Sequence, residues 1–236
     1  MSLFFNGLQD RIVCLASPHN SEAIEAEFRI MAVFGVATHE MRYSANITAG
    51  ALKVPQSRVI AGLLLHGVAD RDWRKAIYKE NVLQVRSPKT AKRISVLIRG
   101  RLASVEAPLW KLIRDGSVVE ATHGCLAAAV KSSFLLGDFL DLVVRSQVRT
   151  FKEELSLRLW SDFVEQCRGR DPDMPQWSES TITRLRSSVF TILAEAGYID
   201  STKARRLQAV HIVKPVLRYL EQHDEQYVLR CIQVGT

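Results

Sequence analysis

The sequence predicts a mainly α protein: an N-terminal helical domain with helix-turn-helix character, then a C-terminal winged helix-turn-helix with a small β-hairpin. Three observations carry this expectation. From residue 43 onward, apolar residues recur at the helical period. Ser and Pro stand where helices should start, as at Pro55 and at Ser87 with Pro88. A single run rich in Val and Ile, Arg205–Val213, follows a polar turn and reads as a strand.

Residues 1–40 stand apart. They are weakly periodic and hold two basic residues (Arg11, Arg29) against five acidic ones (Asp10, Glu22, Glu25, Glu27, Glu40). The segment opening at Met41 can serve as a native start, so 1–40 is read as an N-terminal extension from an upstream start assignment. The competing reading is a genuine amphipathic arm over 22–34.

The helical domain is expected over 41–150. Pro55 opens a helix carrying Val59, Ile60, Leu63 and Leu64 at helical spacing. A second runs from Asp70 through Trp73 and Ile77 to about Glu80, and Ser87 with Pro88 opens a third. Helices over 106–114, 118–131 and 133–147 complete the domain. The winged-helix domain is expected over 151–236. A helix over 151–167 leads to the loop Arg168–Trp177, broken by Pro172 and Pro175. A long helix over 180–196 ends at Gly197. Tyr198–Asp200, the turn Ser201–Ala204 and the strand Arg205–Val213 follow, then a helix opened by Pro215 and a last one over 225–233.

Charge narrows the function. The 236 residues carry 32 Lys and Arg against 25 Asp and Glu, and removing residues 1–40 leaves 30 against 20. A basic body suits a polyanion, either nucleic acid or an anionic membrane surface. The most apolar stretch, Ala121–Leu140, is interrupted by Lys131 and Asp138, so it reads as a buried helix pair and not a membrane span. Cys14, Cys125, Cys167 and Cys231 are scattered, as in a reduced cytosolic protein. The histidines show no metal-ligand spacing, and neither a metal site nor a cofactor is expected. Phosphate-binding loops of the GxxxxGK type, dinucleotide fingerprints and GxSxG elbows are missing from the sequence. Asp138 and Asp141 lie one turn apart and read as the polar edge of a core helix. Trp73, Trp110, Trp160 and Trp177 read as core packing. The protein is therefore expected not to be an enzyme.

Two helices carry candidate binding faces. In the helix after Ser87, Ala91, Ile94, Leu97, Ile98 and Leu102 share one face, while Lys89, Lys92 and Arg99 share the other, with Arg93 on the flank. In the helix 180–196, Ile182, Leu185, Val189, Ile192, Leu193 and Ala196 form the buried stripe. Thr183, Arg184, Ser187 and Thr191 form the exposed face, with Ser180 and Thr181 at its start. Short hydroxyls around an Arg suit a helix lying in a DNA groove. Ser178 or Ser180 is also expected to cap that helix. Lys203, Arg205 and Arg206 sit in the following turn, where a wing would touch the phosphate backbone.

Short segments stand along the chain in a fixed order: Tyr43-Ser44-Ala45 with Thr48-Ala49-Gly50; Glu80-Asn81 with Leu83 and Arg86-Ser87; Thr90-Ala91-Lys92-Arg93; Arg101-Leu102; and Trp177-Ser178 with Ser180-Thr181, Leu185-Arg186 and Leu193-Ala194-Glu195-Ala196-Gly197-Tyr198. In this order and spacing they resemble the BrxA family of the bacterial BREX phage-exclusion systems. The resemblance covers 43–236 and leaves 1–40 outside. It implies a cytoplasmic helical protein of helix-turn-helix or winged-helix character, acting in phage defence beside a methyltransferase, an ATPase and other BREX proteins. DNA binding is the implied activity. The family has also been likened to the RNA-binding antitermination factor NusB and described as an inner-membrane protein; Lys131 and Asp138 argue against a membrane span. The expectation is a non-catalytic binder of duplex DNA, with RNA binding and a protein–protein adaptor role as rivals.

Overall fold

The helical period becomes ten helices among the described residues; the computed structural model describes residues 42–47 and 50–235. The extension expected over 1–40 and the start at Met41 lie outside the described residues. The helices are α1 (Val54–Leu65), α2 (Asp70–Arg74, continued by a π-helical turn, Lys75–Lys79), α3 (Pro88–Ala103), α4 (Ala107–Asp115) and α5 (Val118–Lys131). Next come α6, α7 (Arg158–Arg170), α8 (Glu179–Glu195), α9 (Lys214–Gln222) and α10 (Gln226–Ile232). The α6 helix is α-helical over Phe134–Asp138, π-helical over Phe139–Val144 and α-helical again over Arg145–Arg149.

The start signals act as their chemistry requires. Ser87 caps α3 by accepting from the Thr90 amide, with Pro88 at the first position where no donor is needed. Ser117 and Glu120 form a reciprocal capping box on α5. Asn81 ends the α2 segment in the left-handed region and bonds both the amide and the carbonyl of Val85.

Helix α5 is the central post. Residues 123–130 are all buried, and α1, α3, α4, α9 and α10 pack around it. Small side chains at Gly124, Ala127, Ala128 and Ala129 let those neighbours approach closely. A second aromatic centre lies where Phe139 of α6 meets Trp160 and Phe163 edge-on, with Phe190 of α8 at 6.1 Å. Trp73 and Trp160 are buried and Trp110 and Trp177 pack partly buried against the core, which is their expected role. From Met41 to Thr236 the chain forms one compact unit.

Residues 42–47 and 50–52 strap across this unit. The Arg42 guanidinium donates to both carboxylate oxygens of Asp138, and the Tyr43 hydroxyl donates to Oδ2 at 2.7 Å. Tyr227 of α10 donates to Oδ1 at 2.8 Å. Burial, reinforced by Asp138, pushes the Tyr43 hydroxyl up to about 12. The Arg42 and Tyr43 amides donate to Asp171 beyond α7. Further along, Arg101 of α3 holds the carbonyls of Gly50 and Ala51, and Glu195 of α8 accepts from the Leu52 amide. Burial pulls the Arg101 guanidinium down to about 10, so it still bears its proton at neutral pH.

Two expectations require correction. The helix expected over 151–167 begins at Arg158: Phe151 lies in the left-handed region at φ 54°, and Glu153–Leu155 give their backbone to pairing with Arg205–Leu207. The run 205–213 forms no strand. It makes isolated antiparallel bridges, Glu154 with Arg206 and Ile199 with Leu207. Four amides complete the pairing, Leu155 to Arg205, Leu207 to Glu153, Asp200 to Arg206 and Gln208 to Tyr198. With two bonds on each side, the ladder stops before it becomes a sheet, and the chain leaves it to reach α5.

That exit depends on one neutral imidazole. His123, buried in α5, accepts at Nδ1 from the Val213 amide at the start of α9 (3.2 Å). Burial lowers its pKa from the ordinary 6.5. The unfolded chain therefore takes up a proton below about 6.5 while the folded chain does so only at lower pH. Stability is full above that value and falls as the pH drops through it toward the folded pKa. Urea unfolding midpoints between pH 8 and 5 should show this decline, and His123→Gln should flatten it.

Candidate nucleic-acid interface

Helix α3 divides as its pattern dictates. Ala91, Ile94, Ile98 and Leu102 are buried, with Leu97 half-buried beside them. Lys89, Lys92 and Arg93 are exposed, and none of the three is ion-paired among the described residues. Together with Asn46, Thr90, Val96 and Leu97 they line a surface groove of about 590 Å³. Asn46 donates from its side chain to the Ser132 carbonyl at 2.5 Å, which fixes its amide at the groove's edge. Its contribution was not legible, since nothing in local spacing connects residue 46 to residues 89–93.

Arg99 behaves differently from the other cations of this face. Its guanidinium lies 4.7 Å from the Trp73 ring centroid and 3.6 Å from Asp70. It is a tie between α2 and α3 before it is a free charge. These two helices, joined by the turn after Asn81, pack on each other.

On α8 the expected stripe is inward: Leu185, Val189, Ile192, Leu193 and Ala196 are buried, and Ile182 half-buried. Ser188 and Phe190 are buried too, which the stripe had not included. Ser178 is the cap, accepting from the Thr181 amide. Ser180, Thr183, Arg184 and Ser187 are exposed, while Thr181 and Thr191 are half-buried. The hydroxyls are partly committed: Ser187 donates to the Thr183 carbonyl and Thr191 to the Ser187 carbonyl. Such back-bonded hydroxyls keep lone pairs but spend their proton, so they suit donors on a partner better than phosphate oxygens.

In the turn after α8, Lys203 and Arg206 are exposed. Arg205 is half-buried, with its guanidinium on Glu154 (2.7 Å) and on the Lys203 carbonyl (2.6 Å). It holds the bridge segments together from a left-handed backbone, φ 57°.

The paired aspartates are structural anchors. Asp138 receives the strap and Tyr227, and Asp141 receives Arg145 and Arg230. Among the described residues no three His, Cys, Asp or Glu side chains gather as a metal site would require. Burial pushes the thiol of Cys125 up to about 11 and those of Cys167 and Cys231 up to about 12. No helix among the described residues is long and apolar enough to cross a membrane.

This arrangement has relatives. The BrxA family model matches residues 41–224. The chain is 54% identical over 196 residues to the BREX protein BrxA of Paramagnetospirillum magneticum (strain AMB-1), covering 83% of this chain and 98% of that one. It is 34% identical over 210 residues to the BREX protein BrxA of Escherichia coli O9:H4 (strain HS), covering 89% and 99%. A crystal structure of an uncharacterized protein from Magnetospirillum magneticum superposes with a TM-score of 0.77 at 52% identity, covering 82% of this chain and 99% of that chain. On the strength of the matched span and these identities, the chain belongs to the BrxA family.

Proposed function

We propose that this protein is a non-catalytic, cytoplasmic component of a BREX phage-defence system that binds duplex DNA beside other BREX proteins. The observation that carries the reading is the trio Lys89, Lys92 and Arg93: three exposed cations on one helix face, unpaired among the described residues, around a groove edged by an amide. Unpaired cations on a rigid helix retain their full attraction for phosphate, because they give up no internal partner on binding.

The C-terminal half supports the same reading. Segment 205–208 pairs with 153–155 on one side and 198–200 on the other, and α8 precedes the turn that carries Lys203 and Arg206. That order is the one a winged helix requires, with α8 as the recognition helix and 201–204 as a short wing.

A second reading, an adaptor that grips protein partners, has its own observation. Phe151 is 92% exposed and Val118 72% exposed, which gains nothing for a protein that meets only nucleic acid.

Fluorescence anisotropy with a labelled duplex of arbitrary sequence across a salt series tests the proposal. Affinity should fall linearly on a log–log plot, with a slope of about −3 or steeper if at least three phosphates are neutralised. Absence of binding at low salt would overturn the DNA reading in favour of the adaptor. Structured RNA as competitor separates the two nucleic acids.

A further inference from the structure

The cationic face of α3 carries one residue that electrostatics does not account for. Val96 is 64% exposed, one turn after Lys92 and Arg93 and one turn before Arg99 and Gly100. It lines both the groove that holds Lys89, Lys92 and Arg93 and the neighbouring one lined by Asp70, Trp73, Arg74, Tyr78, Ser95 and Arg99. Val96 therefore forms the crest between them. A β-branched residue is a poor helix former, and exposed it returns no burial to offset that. Its neighbours on the crest do not overshadow it. Arg99 is drawn toward Trp73 and Asp70, and Gly100 has open space around it.

We infer that Val96 is a specificity-determining residue that reads the 5-methyl group of thymine in the major groove; this rests on the proposed DNA-binding role. The bases offer one apolar feature in that groove, and it is this methyl group. A valine has a single side-chain torsion and offers two methyl groups with little loss of freedom. Flanking cations set the helix on the backbone, and phosphate contacts alone carry no sequence information. The crest is where base edges are met, and its chemistry selects A·T over G·C pairs.

The test uses the whole protein and two duplexes of the same length, alternating dA-dT and alternating dA-dU. They differ only in the 5-methyl group. Anisotropy at low salt should show the dA-dU duplex binding about fourfold more weakly for each methyl contacted, the value of one buried methyl-sized group. Val96→Ser removes both methyl groups from an exposed position, so this variant should bind the two duplexes alike. Equal affinity of the unaltered protein for both, or an undiminished preference in V96S, would overturn the inference while leaving DNA binding intact. Binding to neither duplex would overturn the DNA reading itself, and the inference with it.

Discussion

Asp138→Ala should destabilise the fold by about 2–4 kcal/mol, read as a lowered urea midpoint at unchanged slope. The Asp138 carboxylate is only 5% exposed and takes hydrogen bonds from Arg42, Tyr43 and Tyr227, so three donors lose their acceptor together. The half-exposed Arg42 can turn to water, and its share is small. The Tyr43 hydroxyl cannot turn away so easily. Tyr43 is fully buried, and Tyr227 lies so tightly over Gly137 that a methyl group there would collide with its hydroxyl. Leaving the buried Tyr43 hydroxyl unsatisfied costs its desolvation, which accounts for most of the loss, while the half-buried Tyr227 hydroxyl keeps the Phe134 carbonyl within 3.4 Å. Tyr43→Phe should cost less, about 1–2 kcal/mol, since Asp138 keeps its other donors. A midpoint in D138A within 1 kcal/mol of the parent would show that the strap is held by packing instead.

Reversing three charges, Lys89→Glu, Lys92→Glu and Arg93→Glu, should weaken duplex binding at low salt by at least a hundredfold. The salt slope should shrink by about 2.7, the loss of three phosphate contacts. All three side chains are exposed, so the urea midpoint should stay close to that of the parent. The paired change Arg184→Glu with Arg206→Glu is the matched comparison, because these cations are exposed on the C-terminal half. A larger loss from that pair than from the α3 trio would move the principal contact to α8 and its turn. Unchanged binding in both would leave the adaptor reading.

The sequence made the helices legible because their signals are local. The α3 face needed only the spacing of Ala91, Ile94, Ile98 and Leu102, and its cap needed only Ser87. What it hid was set at long range. Arg101 sits in a helix that reads as cationic, yet it is buried, since two carbonyls fifty residues earlier need its donors. Arg205 reads as a wing cation and is taken by Glu154, a partner 51 residues away. The expected strand failed for the same reason. Val and Ile content signals a preference for extended backbone, but a strand also needs partners of equal length, and Glu153–Leu155 and Tyr198–Asp200 are too short.

The residues behind the family resemblance divide in an informative way. Tyr43, Arg101 and Tyr198 are buried ties or anchors of the strap and core, and the exposed Glu195 accepts from the Leu52 amide. Lys92 and Arg93 lie on the exposed groove. The motif series thus records scaffold and surface together, and spacing alone could not separate them.

The strap of residues 42–47 and 50–52 also governs how the protein comes apart. It is stitched to α3, α6, α8 and the end of α7, helices drawn from both halves of the chain. Loosening any one of those anchors releases a hold on the others, so the halves are expected to melt in a single transition. Amide hydrogen exchange should report it directly: the slowest protons of α5 and of α8 should exchange through the same global opening, with one shared free energy.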